Sequence, residues 1–202
     1  MTDLPDGEQY TPEPAATRAR ALVDWLAQSV RHRRTDVTGP LRRSRPDRPP
    51  VAVPGMPQGV DPEIAIQVAR LFVRYHRSSD FSQSLNATGT GDLGQALRRL
   101  SLADPPAQPW NKAAEVAMAS LLRRRMRLPW RELERALDTM QRARLTPPSW
   151  ALLISDLESW HVRERSHPRD TLERWASSFY TGHTTSSARR AAVPEGTTGL
   201  NS

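Results

Sequence analysis

Wherever apolar residues recur in this chain they do so at helical spacing, and that feature limits the fold more than any other. Trp150, Leu153, Ile154, Leu157 and Trp160 fall at i, i+3, i+4, i+7 and i+10, and no run shows the β-branched alternation of a half-buried strand. An all-α protein follows, a helical bundle with no sheet.

Turn and cap residues divide the helices. Thr11 with Pro12 reads as the start of a first helix whose apolar face is Ala15, Ala19, Leu22, Val23, Leu26 and Val30. A second starts at Asp61 with Pro62 and carries Ile64, Val68, Leu71, Phe72 and Tyr75 on one face. After SLNATGTGD, read as a mobile loop, Asp92 caps a short helix with Leu93, Ala96, Leu97 and Leu100 inward. The run DPPAQP at 104–109 reads as a boundary. Beyond it the spacing predicts four helices, from about Asn111 to Leu128, from Trp130, from Thr146–Pro147 and after Pro168. The expected organisation is a frayed N-terminus over 1–11, an N-terminal helical part over 12–103 containing a basic loop at 35–60, a C-terminal four-helix bundle over 104–182, and a disordered tail over 183–202. Trp130, Trp150, Trp160 and Trp175 each fall on an apolar face and are expected in the core.

The chain has no cysteine, which excludes disulfides, thiol catalysis and thiolate metal sites. Its five histidines are scattered, with no HExxH and no i, i+4 pair, so no metal centre is expected. Gly89 and Gly91 lack the Lys-Ser/Thr of a phosphate-binding loop. Asp156 and Glu158 are read as an exposed polar face. The chain is therefore expected to be neither an enzyme nor a cofactor carrier. No stretch approaches the ~18 apolar residues of a membrane span, and the N-terminus lacks a signal-peptide core, so the expected location is the cytoplasm.

Charge is the positive signal. The net charge is +7, and every basic side chain but Lys112 is arginine. Arginine presents a planar donor fork suited to phosphate, although a coding bias toward arginine gives the same composition without a function. The charge is regional. Residues 31–48 hold seven arginines against Asp36 and Asp47, and 112–144 hold eight arginines and Lys112 against four acids, whereas 145–180 are near neutral. A regional excess of this kind points to a polyanion held through its backbone, largely blind to sequence. The candidate contacts are Arg42 and Arg43 first, then Arg31, Arg33, Arg34, Arg45, Arg123, Arg124, Arg127, Arg131 and Arg135. Two plainer readings stand beside this one. Arg31, Arg33 and Arg34 complement the dipole at a helix end, and Asp138 precedes Arg142 by four residues, as in a surface ion-pair ladder.

The order of motifs adds an identification. ALVDWL is followed by GPLRRS, then DLGQAL, then LLRRRMRLPWRELERAL, and finally SWALLISDLESW and ERWASSFY. Over about residues 15–182 this resembles the CasB family, the small subunit of the type I-E CRISPR surveillance complex Cascade. The resemblance implies a non-enzymatic helical subunit, present as a head-to-tail pair. It would contact the backbone subunits that hold the guide RNA and the large subunit, and help to hold the target and displaced DNA strands. Leu41, Arg42, Arg43 and Ser44 match the family's LRR segment, whose arginines are implicated in nucleic-acid contact. Leu93, Gly94, Ala96 and Leu97 match a structural LG.AL segment, and Trp150, Leu153, Asp156, Leu157 and Trp160 match W..L..DL..W. Val116, Ala117 and Met118 stand where relatives tend to carry an Arg and an aromatic. The alternatives to this reading are a stand-alone helical DNA-binding regulator and an assembly scaffold that never touches DNA.

Overall fold

Eight α-helices make up the architecture in the computed structural model, which describes residues 15–50, 52–78, 88–102, 112–123, 127–162 and 169–191. They are α1 (Ala15–Arg31), α2 (Thr35–Arg43), α3 (Pro62–Tyr75), α4 (Leu93–Leu102), α5 (Lys112–Leu122), α6 (Trp130–Arg142), α7 (Trp150–Val162) and α8 (Arg169–Ala191). A 3₁₀ turn, His76–Ser78, closes α3. There is no strand among the described residues, as the all-α reading requires; the bridge between Arg45 and Arg48 is isolated.

The helical spacing also fixes the core. Leu22, Leu26, Ile64, Phe72, Leu97, Met118, Leu133, Trp150, Leu157, Trp175 and Phe179 are fully or nearly fully buried in one continuous cluster. Trp130 and Trp160 join them, so all four tryptophans expected inside are inside. The two halves of the chain share this core: α7 packs chiefly against α1, and α8 chiefly against α4. Gly94 makes the second packing possible, because a Cβ there would meet the Trp175 carbonyl oxygen at 2.0 Å. The side chain of Asp61 caps α3, accepting from Glu63 N at 3.0 Å and Ile64 N at 3.1 Å. Asp92 caps α4 through Gln95 N at 2.8 Å, as expected.

Several boundaries differ from the sequence reading, each for a local reason. The 35–60 connection is not loop throughout, since residues 35–43 form α2; Val37 and Leu41, one turn apart, are both buried and dock it. Part of the glycine loop is tied down. Thr90 N donates to the Pro147 carbonyl at 3.0 Å, Ser149 N to Gly91 at 2.8 Å and Trp150 N to Thr88 at 3.0 Å, with Gly89 and Gly91 at φ 74° and 68°. The rest of that loop, 84–87, lies outside the described residues. The fifth helix ends at Leu122 and not at Leu128. Arg123 and Arg127 repel at i, i+4, and Pro129 disfavours helical backbone at Leu128. Ser149, not Thr146, receives the first N–H groups of α7: its hydroxyl accepts from Leu152 N at 3.4 Å and its carbonyl from Leu153 N at 2.9 Å. At the far end α8 runs on to Ala191, into the expected tail, where the sequence places no proline before position 194. Residues 1–14, the 103–111 boundary and 192–202 lie outside the described residues.

Candidate nucleic-acid interface

The first basic cluster is built by two turns and a short helix. α1 ends in a Schellman motif, in which Arg33 N donates to the Val30 carbonyl at 3.1 Å and Arg34 N to the Ser29 carbonyl at 2.9 Å. Arg33 occupies the left-handed position at φ 51°, where glycine is the usual residue. Arg31, Arg33 and Arg34 are exposed there. Arg34 donates to Asp36 Oδ2 at 2.8 Å, and this bond holds the Asp36 carboxyl below its ordinary value. With both side chains about half exposed, such a pair contributes little.

Within α2 the stretch GPLRR divides cleanly. Leu41 is 1% exposed and anchors the helix, whereas Arg42 and Arg43 in its last turn stand in solvent. The Arg43 guanidinium lies back over Gly39, one turn earlier, with Nη1 3.5 Å from where a Cβ would sit. Ser44 Oγ donates to the Leu41 carbonyl at 2.8 Å, and Arg45 and Arg48 then face each other across a tight turn. Arg45 and Arg48 are exposed as well.

The second cluster depends on who claims the acids of α6. The expected ladder from Asp138 to Arg142 does not form. Arg74 of α3 takes Asp138 with a two-pronged contact, Nε to Oδ1 at 2.8 Å and Nη2 to Oδ2 at 2.7 Å. It also reaches Glu134 Oε1 at 2.7 Å. Asp138 and Glu134 raise the Arg74 pKa, the bond to Asp138 most strongly. The fully buried Arg70 donates Nη2 to Glu134 Oε2 at 3.1 Å, and the Trp130 indole donates to Glu63 Oε1 at 3.1 Å. Along the chain Glu63 meets Trp130, Arg70 meets Glu134 and Arg74 meets Asp138, so α3 and α6 run parallel along a polar seam.

That seam has an electrostatic consequence. Two arginines of α3 take Glu134 and Asp138, and the arginines of α6 are left without those two carboxylates. Arg131, Arg135 and Arg142 are exposed and, among the described residues, make no ion pair. The same holds for Arg31, Arg33, Arg42, Arg43, Arg45, Arg48, Arg123 and Arg127. At 100° per residue Arg131, Arg135 and Arg142 lie within ~40° of one another, on the flank of α6 next to Asp138.

One side chain joins the two clusters. Gln67, 2% exposed on α3, donates Nε2 to the Pro46 carbonyl at 2.8 Å and accepts from Arg70 Nε at 3.1 Å. The turn 45–48 and the start of α6 therefore flank one stretch of α3. Arg123 and Arg127 border α5 and α6, while Arg124 lies outside the described residues. Sequence reasoning missed Gln67, Arg70 and Arg74, though Glu63, Gln67, Arg70 and Arg74 form a readable polar stripe at i, i+4, i+7 and i+11.

The carboxylates outside this region serve the fold. Asp156 is buried, not exposed as the sequence suggested. It accepts the Trp175 indole N–H at 2.7 Å and the Arg174 guanidinium, and burial raises its pKa despite those two donors. Glu158 Oε1 accepts from Asp61 N at 3.0 Å, pinning α7 to the start of α3. No group of three His, Asp or Glu that could hold a metal ion occurs among the described residues, and no helix there is long and apolar enough to cross a membrane.

Among known proteins, the family model described as CRISPR-associated protein Cse2 matches residues 33–180, a span that contains the seam, the second basic cluster and all of the first except Arg31. No curated protein and no solved structure matches the chain.

Proposed function

The chain belongs to the CRISPR-associated Cse2 family, the small subunit of the type I-E Cascade complex, and on that premise we propose that it stabilises the R-loop by binding nucleic-acid backbone. Exposed arginines of α2, the 45–48 turn and α6 grip phosphates of the displaced and target strands. Arg42 and Arg43 lead, with Arg31, Arg33, Arg34, Arg45, Arg123, Arg124, Arg127, Arg131 and Arg135 in support. The subunit pairs head-to-tail with a second copy and bridges the backbone and large subunits around the guide RNA.

The observation that carries this reading is the division of labour between α3 and α6. A chain that wanted its arginines only for solubility would gain by pairing Asp138 with Arg142 on the surface. Here Arg74 and Arg70 occupy Glu134 and Asp138, and the outer arginines remain available to a ligand.

Energetics make modest contacts sufficient. Exchanging a DNA duplex for a guide–target hybrid is nearly balanced, with stacking near ~1.4 kcal/mol per step. Sequence-blind phosphate binding with Kd on the order of 10⁻⁴ to 10⁻⁶ M corresponds to about 5–8 kcal/mol, the worth of several steps. The test is R-loop lifetime in assembled complexes carrying Arg42→Ala and Arg43→Ala. The lifetime is expected to shorten at physiological salt; an unchanged lifetime counts against these residues.

A further inference from the structure

We infer that Gln67 is a positioning residue for nucleic-acid binding: it latches the basic turn 45–48 onto the α3–α6 seam and so sets the register between the arginines of α2 and those of α6. This rests on the backbone-binding reading above and adds a residue that touches no ligand.

The backbone of the turn has few partners of its own. Residues 44–50 carry Arg45, Arg48 and three prolines and contribute no fully buried side chain. Within the turn Arg45 and Arg48 exchange backbone bonds at 3.0 and 3.4 Å. Ser44 ties the stretch back to the end of α2, and from the turn itself the Pro46 carbonyl accepts from a buried side chain of the folded body, Gln67 Nε2, at 2.8 Å.

Glutamine is the residue this position needs. One end must donate to a carbonyl and the other must accept from a guanidinium, and a primary amide does both. The two partners also fix its orientation, since a flipped amide would set oxygen against the Pro46 oxygen and N–H against Arg70 Nε. Arg70 in turn is held by Glu134, which lies between Arg131 and Arg135 on α6. Two side chains thus connect the turn's backbone to the helix carrying the other arginines. A continuous phosphate track requires such a rigid spacer, because arginines that wander relative to one another engage successive phosphates only at an entropic cost.

Gln67→Glu separates the two bonds. Its carboxylate still accepts from Arg70 but faces the Pro46 carbonyl with an acceptor, so the turn is released while the buried arginine keeps its partner. Gln67→Met removes both bonds at similar volume and carries the test if the glutamate variant folds poorly. Two quantities are read on the full-length chain: hydrogen exchange of the Ser44, Arg45, Asp47 and Arg48 amides, and affinity for a fluorescent single-stranded DNA as a function of salt. Exchange over the turn is expected to accelerate, affinity to drop by about tenfold, and the slope of log K against log salt to shrink. Every phosphate that the protein ceases to neutralise on a single strand takes ~0.7 off that slope. A merely structural role would lower the melting temperature and leave the slope alone. The inference is overturned if either variant frees the turn without moving affinity or slope, or leaves the turn protected. With Arg42→Ala and Arg43→Ala in parallel the two ideas separate. If those weaken binding while Gln67→Glu does not, only the positioning role falls; if they too bind as the parent does, the binding reading falls and the positioning role with it.

Discussion

Glu134→Gln and Asp138→Asn make the same chemical change one helical turn apart, and the structure predicts very different costs. Glu134 neutralises Arg70, whose side chain is 1% exposed. Removing a carboxylate from a buried pair strands the other charge, and costs of about 3–5 kcal/mol are typical. Because glutamine keeps a neutral acceptor for Arg70 Nη2, the lower end, about 3 kcal/mol, is expected. Asp138 faces the Arg74 side chain, which is 48% exposed and retains Glu134 as a partner. Water screens that pair, and its loss should cost about 0.2–1 kcal/mol despite the good geometry. For a chain of this length about 2–4 °C of melting temperature accompanies each kcal/mol, so Glu134→Gln should lose about 6–12 °C and Asp138→Asn no more than about 4 °C. Thermal unfolding followed by circular dichroism reads both. Replacing Arg70 and Glu134 together by methionine should recover part of the loss, since no buried charge is then unpaired. Equal destabilisation by the two single variants would refute the claim that the burial of Arg70 sets the cost.

Two further outcomes follow from the core. Tyr75 is buried, donates its hydroxyl to the Leu145 carbonyl, and has its pKa pushed up to about 12, chiefly by desolvation and against the nearby charge of Arg99. A raised pKa stabilises the fold below the unfolded value near 10, and that contribution, about 3 kcal/mol at most, is lost as pH climbs from about 10 to 12. Titrating the tyrosinate absorbance of the native chain should show a late step that Tyr75→Phe abolishes; a single step near pH 10 would contradict the burial argument. Gly94→Ala would gain about 1 kcal/mol in an isolated helix, yet its Cβ would lie 2.0 Å from the Trp175 carbonyl oxygen, so α4 and α8 must separate. Net destabilisation of about 2 kcal/mol or more is expected in urea titration, and a stabilised variant would show that the two helices are not in close contact.

Much of the fold could be read from periodicity because a face with four or five apolar residues has only one way to be buried. Leu93, Leu97 and Leu100 needed no knowledge of their neighbours to be placed inward, and neither did Trp150 and Trp160. α2 escaped notice because its core signal is just Val37 and Leu41, interrupted by Gly39 and Pro40, and a two-point pattern does not stand out from a loop. The seam was hidden for a different reason. Asp138 had a local partner in Arg142 and a distant one in Arg74, and only the packing of α3 on α6 decides between them. Asp156 looked exposed because its burial depends on Trp175, nineteen residues on, whose indole it accepts. Local signals placed the arginines; tertiary contacts determined which of them remained unpaired.

Whether these arginines meet DNA at all is answered by photocrosslinking from the displaced strand within assembled complexes, with the adducts mapped by peptide sequencing. Adducts are expected in the peptides spanning Arg42 to Arg48 and Arg131 to Arg142. Adducts confined to other surfaces of this subunit, such as α7 and α8, or their absence from it, would contradict the binding of nucleic-acid backbone by the two basic clusters.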